Sequence, residues 1–491
     1  MFERIKKFFR RNGMSEINRI IDHEKITMEE SEYNRIIENR RIYQQNFDDV
    51  EYTTANSQEM KRPYHSLNTA KIIAKTLSRL IYNEGVDIEL EGEKENAFLQ
   101  SVFDDNNFAT NFREELEAGY AIGGLAIRPY YDPTSDKIKF SYVQADSFFP
   151  LQSNTSEITE CAFATKTIIN KNKTTYFTLL EFHEWDNEAY IITNELYKSD
   201  NKDKLGKRVS LTSLDKYANL QEQTVIHGLT RPLFVYIKLA EKNNKDLHSP
   251  LSISLTDLAR DTIVQINDKY DQFMNDVNNS ALKIIGSDQF FRTRIDQFGK
   301  IVRRYDTDTD AFLLLNGEEI KPEAFAPTLR TEEYTTTINF LLRLVEFQTG
   351  FSPGTFSFDG TSVKTATQVV SENSMSYQTR NDNVKNVEAA LHNLVTTIFE
   401  LAYINKLYSG KNKSKLKTDF DDGVFDSRDS QLTYYGKAVT LGLMPKTEAM
   451  QKLYGLSEER AKEWLININQ ESMELSEENY RRFENTYGKE E

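Results

Sequence analysis

Apolar residues recur at helical spacing along most of the chain, so long helices are its main predicted elements. The longest periodic segments cover residues 250–280, 328–350 and 365–410. Apolar positions three and four residues apart share one side of a helix, so each segment predicts a helix with one buried face. Shorter or more charged segments predict further helices at residues 15–50, 67–82, 93–119, 430–441, 446–454 and 457–469.

Capping residues set the expected ends of the long helices. Ser249 followed by Pro250 suits a helix start, since serine caps free N–H groups and proline fits the first turn. Thr365 with Gln368 forms a capping-box pattern for the third long helix. The stretch Ser371–Asn383 inside that helix is nearly all polar. It predicts either a solvated or kinked stretch or a contact with another subunit.

Alternating and β-branched residues replace the helical period in the middle of the N-terminal half. They predict a mostly antiparallel sheet whose strands are separated by polar turn clusters. A second β-rich stretch, residues 281–327, separates the first two long helices. With 491 residues, at roughly 100–200 per folding unit, the chain is expected to be an α+β protein of two to four units. The predicted strands are Ala126–Tyr131, Ile138–Val143, Glu160–Ile169, Thr175–Glu184, Tyr190–Leu196, Pro232–Lys238, Leu282–Gly286, Ile301–Tyr305 and Ala311–Leu315.

A loop rich in Pro, Gly and Phe joins the second and third long helices. It covers residues 351–364 and reads FSPGTFSFDGTSVK. A plain helical hairpin in any domain would account for such a loop. Gly354 and Gly360 give the backbone conformational freedom, and Phe356 and Phe358 add bulk. On their own these residues leave a simple joint and a moving part both open.

Composition argues against one compact enzyme core and against tight binding of nucleic acid. The mean hydropathy is −0.61 and 28% of the residues are charged, which suits several small cores or long exposed helices. The formal net charge is −15, whereas proteins that hold duplex DNA neutralise phosphates with basic patches. The charge disfavours a static grip but allows DNA to pass close by, because exposed charges are screened beyond about 10 Å.

Candidate catalytic and metal-binding residues form no recognisable motif, so we predict no enzyme, no metal site and no cofactor. Glycine-rich phosphate-binding motifs are absent, and the six histidines include no i, i+4 pair. His183-Glu184 begins like a zinc-protease helix, but Asn187 stands where the second histidine would be. A solvated turn and a polar loop are the favoured interpretations of two aspartate groups: Asp306, Asp308 and Asp310, and Asp419, Asp421 and Asp422.

The single cysteine and the basic N-terminal segment restrict the function further. Cys161 excludes an intrachain disulfide and lies in an apolar strand, where an inert buried thiol is favoured over a nucleophile. The segment Met1–Arg11 lacks the apolar core of a signal peptide, and no run reaches the roughly 18 apolar residues of a membrane span. We expect a soluble protein in which Met1–Arg11 docks onto protein or touches a membrane surface.

Two adjoining sequences carry a family resemblance. They are Pro353–Gly360, PGTFSFDG, and Lys364–Ser374, KTATQVVSENS; Phe420–Gly423 and Leu441–Pro445 add a weaker similarity. The chain resembles the portal proteins of tailed phages, of the A118-like and SPP1-type group. The order of elements agrees from about residue 60 to 470.

The resemblance implies a multidomain portal fold with long stem helices, a β-rich wing, a small α/β clip and a helical crown. The implied divisions are a wing at 1–249, stem helices at 250–280 and 328–350, a clip at 281–327, a tunnel loop at 351–364, a long wing helix at 365–410 and a crown with tail at 411–491. The polar half of the long wing helix would pack between neighbouring subunits.

The same resemblance implies a ring of twelve subunits at the capsid vertex of the virion, assembled in the host cytoplasm. The ring would be a conduit for packaging and ejecting double-stranded DNA, without sequence specificity. Its implied partners are the terminase large subunit, the head–tail connector, and the major capsid and scaffold proteins. The residues expected to face DNA are Pro353, Gly354, Phe356, Phe358, Asp359, Gly360 and Lys364, of which Lys364 is the candidate for transient phosphate contact.

Three alternatives compete with a portal ring. One is an enzyme that processes nucleic acid, which a nuclease or ATPase assay would reveal. Another is a different ring-forming adaptor of the virion. The third is a peripheral membrane scaffold that uses Met1–Arg11, without stable insertion, and flotation with liposomes would test it.

Overall fold

The computed structural model contains both helices and sheets, which confirms the predicted mixture of the two. It describes residues 17–53, 59–82, 86–154, 157–170, 173–280, 283–285, 291–295, 301–305, 323–325, 328–358, 374–410, 415–420, 428–454 and 456–470.

Ten α-helices lie in these described ranges. They are α1 Glu30–Tyr43, α2 Thr69–Ile81, α3 Glu93–Asp105, α4 Phe108–Ile122, α5 Leu255–Asn279, α6 Thr331–Gln348, α7 Ser374–Ile404, α8 Arg428–Thr440, α9 Lys446–Tyr454 and α10 at 458–470. Single 3₁₀ turns occur at Ile20–Asp22, Ala145–Ser147, Leu211–Ser213 and Asp215–Tyr217.

The described strands fall into several antiparallel sheets. They are β1 Val50–Thr53, β2 Glu59–Arg62, β3 Val86–Leu90, β4 Leu125–Asp132, β5 Lys137–Gln144, β6 Phe148–Ser153, β7 Ile158–Asn170, β8 Thr174–Asp186, β9 Ala189–Ser199, β10 Lys207–Val209, β11 Gln223–His227, β12 Val235–Ile237, β13 Lys283–Ile285, β14 Phe291–Ile295, β15 Ile301–Tyr305, β16 Glu323–Phe325 and β17 Leu416–Phe420. The largest sheet has the order β10-β9-β8-β7-β6, with β11 also paired to β9, and a second has the order β12-β4-β5. The predicted antiparallel arrangement is therefore correct, but the strands form two sheets where one was expected.

Three predicted helices have wrong boundaries. In place of the helix expected over 15–50, the described residues form a 3₁₀ turn, the 14-residue helix α1 and the start of strand β1. The helix expected to begin after Ser249 begins at Leu255, because Ser254 is its cap. The Ser254 Oγ accepts a hydrogen bond from the Asp257 N–H at 2.9 Å, and the Ser254 N–H donates to the Asp257 carboxylate at 3.0 Å. The helix expected over 93–119 is two helices, which are separated at Asn107, where φ is +46°. Asparagine tolerates this left-handed conformation better than most residues.

Residues 17–28, the first part of the chain that the structure describes, cover one face of the large sheet. Ile20 and Ile26 pack against Phe149 of β6 and Leu180 and Phe182 of β8, on one side of the sheet. His23 anchors the contact, since its Nε2 lies 3.1 Å from the Glu195 carboxylate. The main core lies elsewhere, between α2, α4, α5, α6 and α7 and the inner face of the β12-β4-β5 sheet.

Helices α5 and α6 form an antiparallel pair that brackets the β insertion. At one end the Arg330 guanidinium donates to the Asp276 carboxylate at 2.7 Å, and at the other the Thr262 hydroxyl donates to the Gln348 side-chain oxygen at 2.9 Å. The insertion starts beside the first contact, whereas residues 351–358 follow the second. Within the insertion β13 pairs with β16 and β14 with β15. The expected strand at Ala311–Leu315 lies outside the described residues.

The polar first half of α7 is buried on one face and exposed on the other. Its inner face is buried in its own chain, where Ser376, Arg380 and Asn383 are each less than 5% exposed. The Arg380 guanidinium donates to the Leu80 carbonyl at 2.7 Å, and the Asn383 side chain accepts from the Ala240 N–H at 2.9 Å. Backbone groups satisfy these buried polar side chains. The opposite face, with Tyr377, Gln378 and Asp382, is exposed, and its contact with another subunit stays a prediction. The capping pattern at Thr365 and Gln368 lies outside the described residues.

The chain returns to the N-terminal half before its last helices. Strand β17 pairs along its whole length with β3. Beyond it, α8 and α9 pack on each other, and the Tyr454 and Trp464 rings lie 5.7 Å apart. The helices predicted at 430–441, 446–454 and 457–469 are all present to within two residues.

Candidate functional site

The start of the loop after α6 is fixed by a turn that only glycine suits. Gly350 has φ +72°, and a Cβ there would lie 2.5 Å from the Thr379 Oγ1. The Thr379 hydroxyl donates to the Gly350 carbonyl at 2.6 Å. This turn drives Phe351 into the main core, where its side chain is fully buried. The loop therefore leaves the helix in one defined direction.

Glu346, in the last turn of α6, holds the next part of the loop. Its carboxylate is 1% exposed and accepts three backbone hydrogen bonds. Oε2 accepts from the Gly354 N–H at 2.9 Å, while Oε1 accepts from the N–H groups of Phe356 and Ser357 at 2.5 and 2.8 Å. Hydrogen bonds to a charged acceptor are roughly twice as strong as neutral ones. The described part of the loop is thus a closed turn around an anion.

A reciprocal pair of serines joins the loop to α7. The Ser352 N–H donates to the Ser376 Oγ at 2.8 Å, and the Ser376 N–H donates to the Ser352 Oγ at 3.1 Å. Both side chains are buried. Together with the Thr379 contact, this pair fixes the loop against α7.

The two phenylalanines predicted to face DNA have different surroundings. The Phe356 ring is half-buried and lies 4.9 Å from the Phe351 ring in an edge-to-face arrangement. Phe358 is 74% exposed, and its N–H donates to the Asn339 side-chain oxygen at 3.0 Å. Phe356 therefore supports the turn, whereas Phe358 presents a free ring at the surface.

The remaining predicted site residues divide between the exposed edge and the undescribed part of the loop. Pro353 and Gly354 are exposed, next to Phe358. Asp359, Gly360 and Lys364 lie outside the described residues.

Sequence reasoning missed Glu346, although the sequence contained a signal for it. An acidic residue in the last turn of a helix opposes the helix dipole, so it needs a partner of its own.

The other candidate chemistry from the sequence resolves into structural roles. His183 lies on strand β8, not on a helix, and its ring contacts the Tyr190 hydroxyl at 2.9 Å and the Glu181 carboxylate at 2.7 Å. Burial lowers the pKa of His183, and burial raises the pKa of the Cys161 thiol. The described ranges contain no group of three His, Cys, Asp or Glu side chains placed to hold a metal ion. Asp306, Asp308, Asp310, Asp421 and Asp422 lie outside those ranges, and Asp419 lies on β17.

Comparison with known proteins decides the family. The sequence model described as phage portal protein, SPP1 Gp6-like, matches residues 22–474. The chain belongs to this portal family. It is accordingly a structural component of a phage-like virion. No curated protein matches the chain.

Solved structures similar to this portal chain come from gene transfer agent particles. One is described as the neck of an empty particle with C6 symmetry and another as the virion of a native particle. Each shows 12% identity and a TM-score of 0.42, over 79% of this chain and 88% of the other. A native-particle neck with C12 symmetry gives 12% identity and a TM-score of 0.34, over 78% of this chain and 88% of the other.

Among the described helices, none combines the length and apolar character needed to cross a bilayer.

Proposed function

We propose that twelve copies of this portal chain form a ring at one capsid vertex, through which double-stranded DNA enters during packaging and leaves during ejection. The observation that carries this proposal is the family match over residues 22–474, together with the helix, insertion, helix and loop order of α5, 281–327, α6 and 351–364. Assembly would take place in the host cytoplasm, with the ring then built into the virion.

The two ends of the α5–α6 pair are suited to different contacts. Helix α6 has 18 residues, which is about 27 Å at 1.5 Å per residue. The insertion at 281–327 starts at one end and the loop lies at the other. A projecting module is suited to dock the terminase and later the head–tail connector. The loop, bound to the core through Phe351, is suited to meet DNA inside the ring. The major capsid and scaffold proteins would contact the outer parts of the subunit.

The exposed part of the loop supports sliding rather than gripping. Its described edge presents Pro353, Gly354 and Phe358, which carry no charge. Duplex binding draws most of its affinity from cations placed against phosphates. Lys364 remains the proposed residue for transient phosphate contact, and Asp359 and Gly360 remain proposed parts of the DNA-facing loop.

Electron microscopy of the purified full-length portal chain tests the ring. Negative-stain images over a series of salt concentrations should show rings with a central channel. Persistent monomers under all these conditions would count against the proposal. The same preparation should show neither nuclease nor ATPase activity above that of a mock purification, since turnover in the pure protein would favour an enzyme instead.

A further inference from the structure

A groove separates residues 230–238, which include strand β12, from the middle of helix α7. The two segments run antiparallel. The Asn386 side chain donates to the Lys238 carbonyl at 3.3 Å, and the Thr230 N–H donates to the Glu400 carboxylate at 3.0 Å. Between these two contacts the segments enclose a cavity of about 320 Å³, which is called the β12–α7 groove below. Its two ends are therefore fixed by contacts within one chain.

The helix side of the groove is shaped by small and amide side chains. Asn386, Ala390 and Asn393 line it at spacings of four and three residues, so they share one face of α7. Ala389 and Ala390 end at Cβ, which leaves room between the two asparagines. From Asn386 to Asn393 the helix rises about 10 Å, at 1.5 Å per residue. An extended peptide covers the same length with about three residues.

The strand side of the groove offers a free sheet edge. Strand β12 stands at the end of the β12-β4-β5 sheet, and none of the described strands pairs with its other edge. Phe234, Val235 and Tyr236 line the groove in succession. Successive side chains of a strand point to opposite faces, so a cavity lined by all three runs along the strand backbone. An open strand edge is a template for another extended chain.

Lys238 places a cation at one end of the groove. Its side chain is half-buried, and among the residues that the structure describes no carboxylate pairs with its ammonium group. Burial lowers the pKa of Lys238, and the neighbouring charge of Lys242 lowers it further. At the other end, by contrast, Arg231 is paired with Glu157 at 2.5 Å. A partly desolvated charge without a partner is unfavourable, so this end of the groove is suited to an anion.

The length, the strand edge and the unpaired ammonium together define one class of ligand. A single inorganic anion would pair with Lys238 but would leave the apolar walls at Ile158 and Phe234 uncovered. We propose that the β12–α7 groove binds an extended segment of a partner protein, about three residues long, whose carboxylate pairs with Lys238. Backbone bonding to the strand edge would supply affinity, and the carboxylate would supply selectivity. The proposal depends neither on the portal ring nor on the passage of DNA.

Chemical labelling of Lys238 tests the groove in the full-length chain. Acetic anhydride acetylates free amines, and mass spectrometry gives the extent at Lys238 relative to Lys242, which is exposed. The probes are acetyl-Val-Val-Glu-amide and acetyl-Glu-Val-Val-amide, which cover both directions of the peptide. At least one of them should lower the Lys238-to-Lys242 ratio roughly threefold or more, because an ammonium group paired with a carboxylate stays protonated and shielded.

Controls at the same millimolar concentration define the ligand class. The glutamine analogues of both peptides, acetate and inorganic phosphate should leave the ratio unchanged. Equal protection by a glutamine analogue would remove the carboxylate from recognition, and equal protection by acetate or phosphate would show a site for a free anion. Loss of Lys238 reactivity as the peptide-free chain self-associates in a dilution series would identify a second copy as the occupant. Each of these results, or no protection by any probe, overturns the proposal.

Two matched variants test the role of Lys238 by a second measurement. Lys238→Met and Lys242→Met each keep a side chain of similar character without the charge, and both should match the unmodified chain in circular dichroism and melting temperature. Saturation-transfer NMR then measures the affinity for the glutamate peptide. Lys238→Met should weaken binding about tenfold, and Lys242→Met should change it less than about twofold. Equal affinities in the two variants would refute the pairing of Lys238 with the carboxylate.

Discussion

The guanidinium of Arg35 on α1 forms an ion pair with the carboxylate of Asp257 in the first turn of α5, with the two side chains 6% and 0% exposed. Arg35 also binds Glu32 at 2.7 Å, and the Asp257 carboxylate accepts from the Asn39 amide at 2.9 Å. The start of the long helix is thereby tied to the N-terminal part of the chain by buried charge.

Arg35→Met should destabilise the monomer by about 3–5 kcal/mol, because it leaves the buried Glu32 carboxylate without a counter-charge and leaves Asp257 with Arg260 as its cation. Urea unfolding followed by circular dichroism measures the change. Arg41→Met is the matched control, since Arg41 pairs with Glu38 at 3.6 Å on the surface and should cost less than about 1 kcal/mol. Equal midpoints for the two variants would show that the buried network adds no stability.

Glu346→Ala should release the described part of the loop. The N–H groups of Gly354, Phe356 and Ser357 lose their common acceptor and turn to water. Amide hydrogen exchange at residues 354–357 should accelerate at least tenfold, while exchange in α2 and α4 stays unchanged. Glu333→Ala, which alters an exposed carboxylate in the first turn of the same helix, is the control. Unchanged protection at these amides would refute the role of Glu346.

Single substitutions should separate the two loop phenylalanines. Phe356→Ala removes a half-buried ring that packs on Phe351 and should cost about 1–2 kcal/mol, less than a fully buried phenylalanine. Phe358→Ala should leave stability within about 0.5 kcal/mol, as an exposed substitution does. It should nevertheless impair DNA packaging or retention while rings still form. Normal packaging by Phe358→Ala would remove this residue from the proposed DNA-facing set.

Glu195 should contribute a defined pH dependence. Burial by itself raises the pKa of Glu195, but hydrogen bonds from His23 and Tyr197 and the charge of Arg208 outweigh it and lower the pKa to about 2. In the folded protein the Glu195 carboxylate therefore stays charged at pH values below the ordinary pKa of a glutamate. The stability it contributes is present above about pH 4.5 and is lost as the pH falls toward 2.

Glu195→Gln should accordingly be less stable than the unmodified chain at pH 6, by at most about 3 kcal/mol. The difference should shrink as the pH falls from 5 toward 2. Urea midpoints at several pH values measure it. Parallel profiles for the two proteins would show that the anchor of the N-terminal residues does not depend on this charge.

Sequence patterns predicted the periodic elements well and the contacts between them poorly. Helix α9 and most of the long strands lie where the pattern placed them, since their signals are local. The start of α5 was placed at Ser249 because Ser-Pro is a good local signal, yet Ser254 and Asp257 form the cap. The sequence contains both capping patterns, Ser249-Pro250 and Ser254 with Asp257. The buried ion pair between Arg35 and Asp257, which the sequence does not show, places the helix start at the second one.

The contacts of the loop at 351–358 were also not predictable from sequence patterns. Its composition indicated flexibility, and Gly354 indeed has φ +88° with open space around it. The pattern could not show that Glu346, eight residues earlier, would hold the Gly354 N–H. Contacts between a helix end and the following loop depend on the direction of the chain at Gly350, which no spacing rule encodes. For the same reason the pattern could not show that one face of the polar half of α7 is buried, because the partners of Arg380 and Asn383 come from distant segments.

The Glu346 carboxylate has a further consequence for any polyanion that passes the loop. A turn of consecutive backbone N–H groups is the standard cradle for a phosphate oxygen. In this turn the Glu346 carboxylate already takes the place of the phosphate and accepts the hydrogen bonds of the Gly354, Phe356 and Ser357 N–H groups. A phosphodiester at this surface would therefore find the backbone N–H groups already bonded to Glu346. The buried charge beside them is negative, like the charge of the phosphodiester. If DNA passes the described part of the loop as proposed, the N–H groups of Gly354, Phe356 and Ser357 are not available to bind its phosphates, which favours sliding.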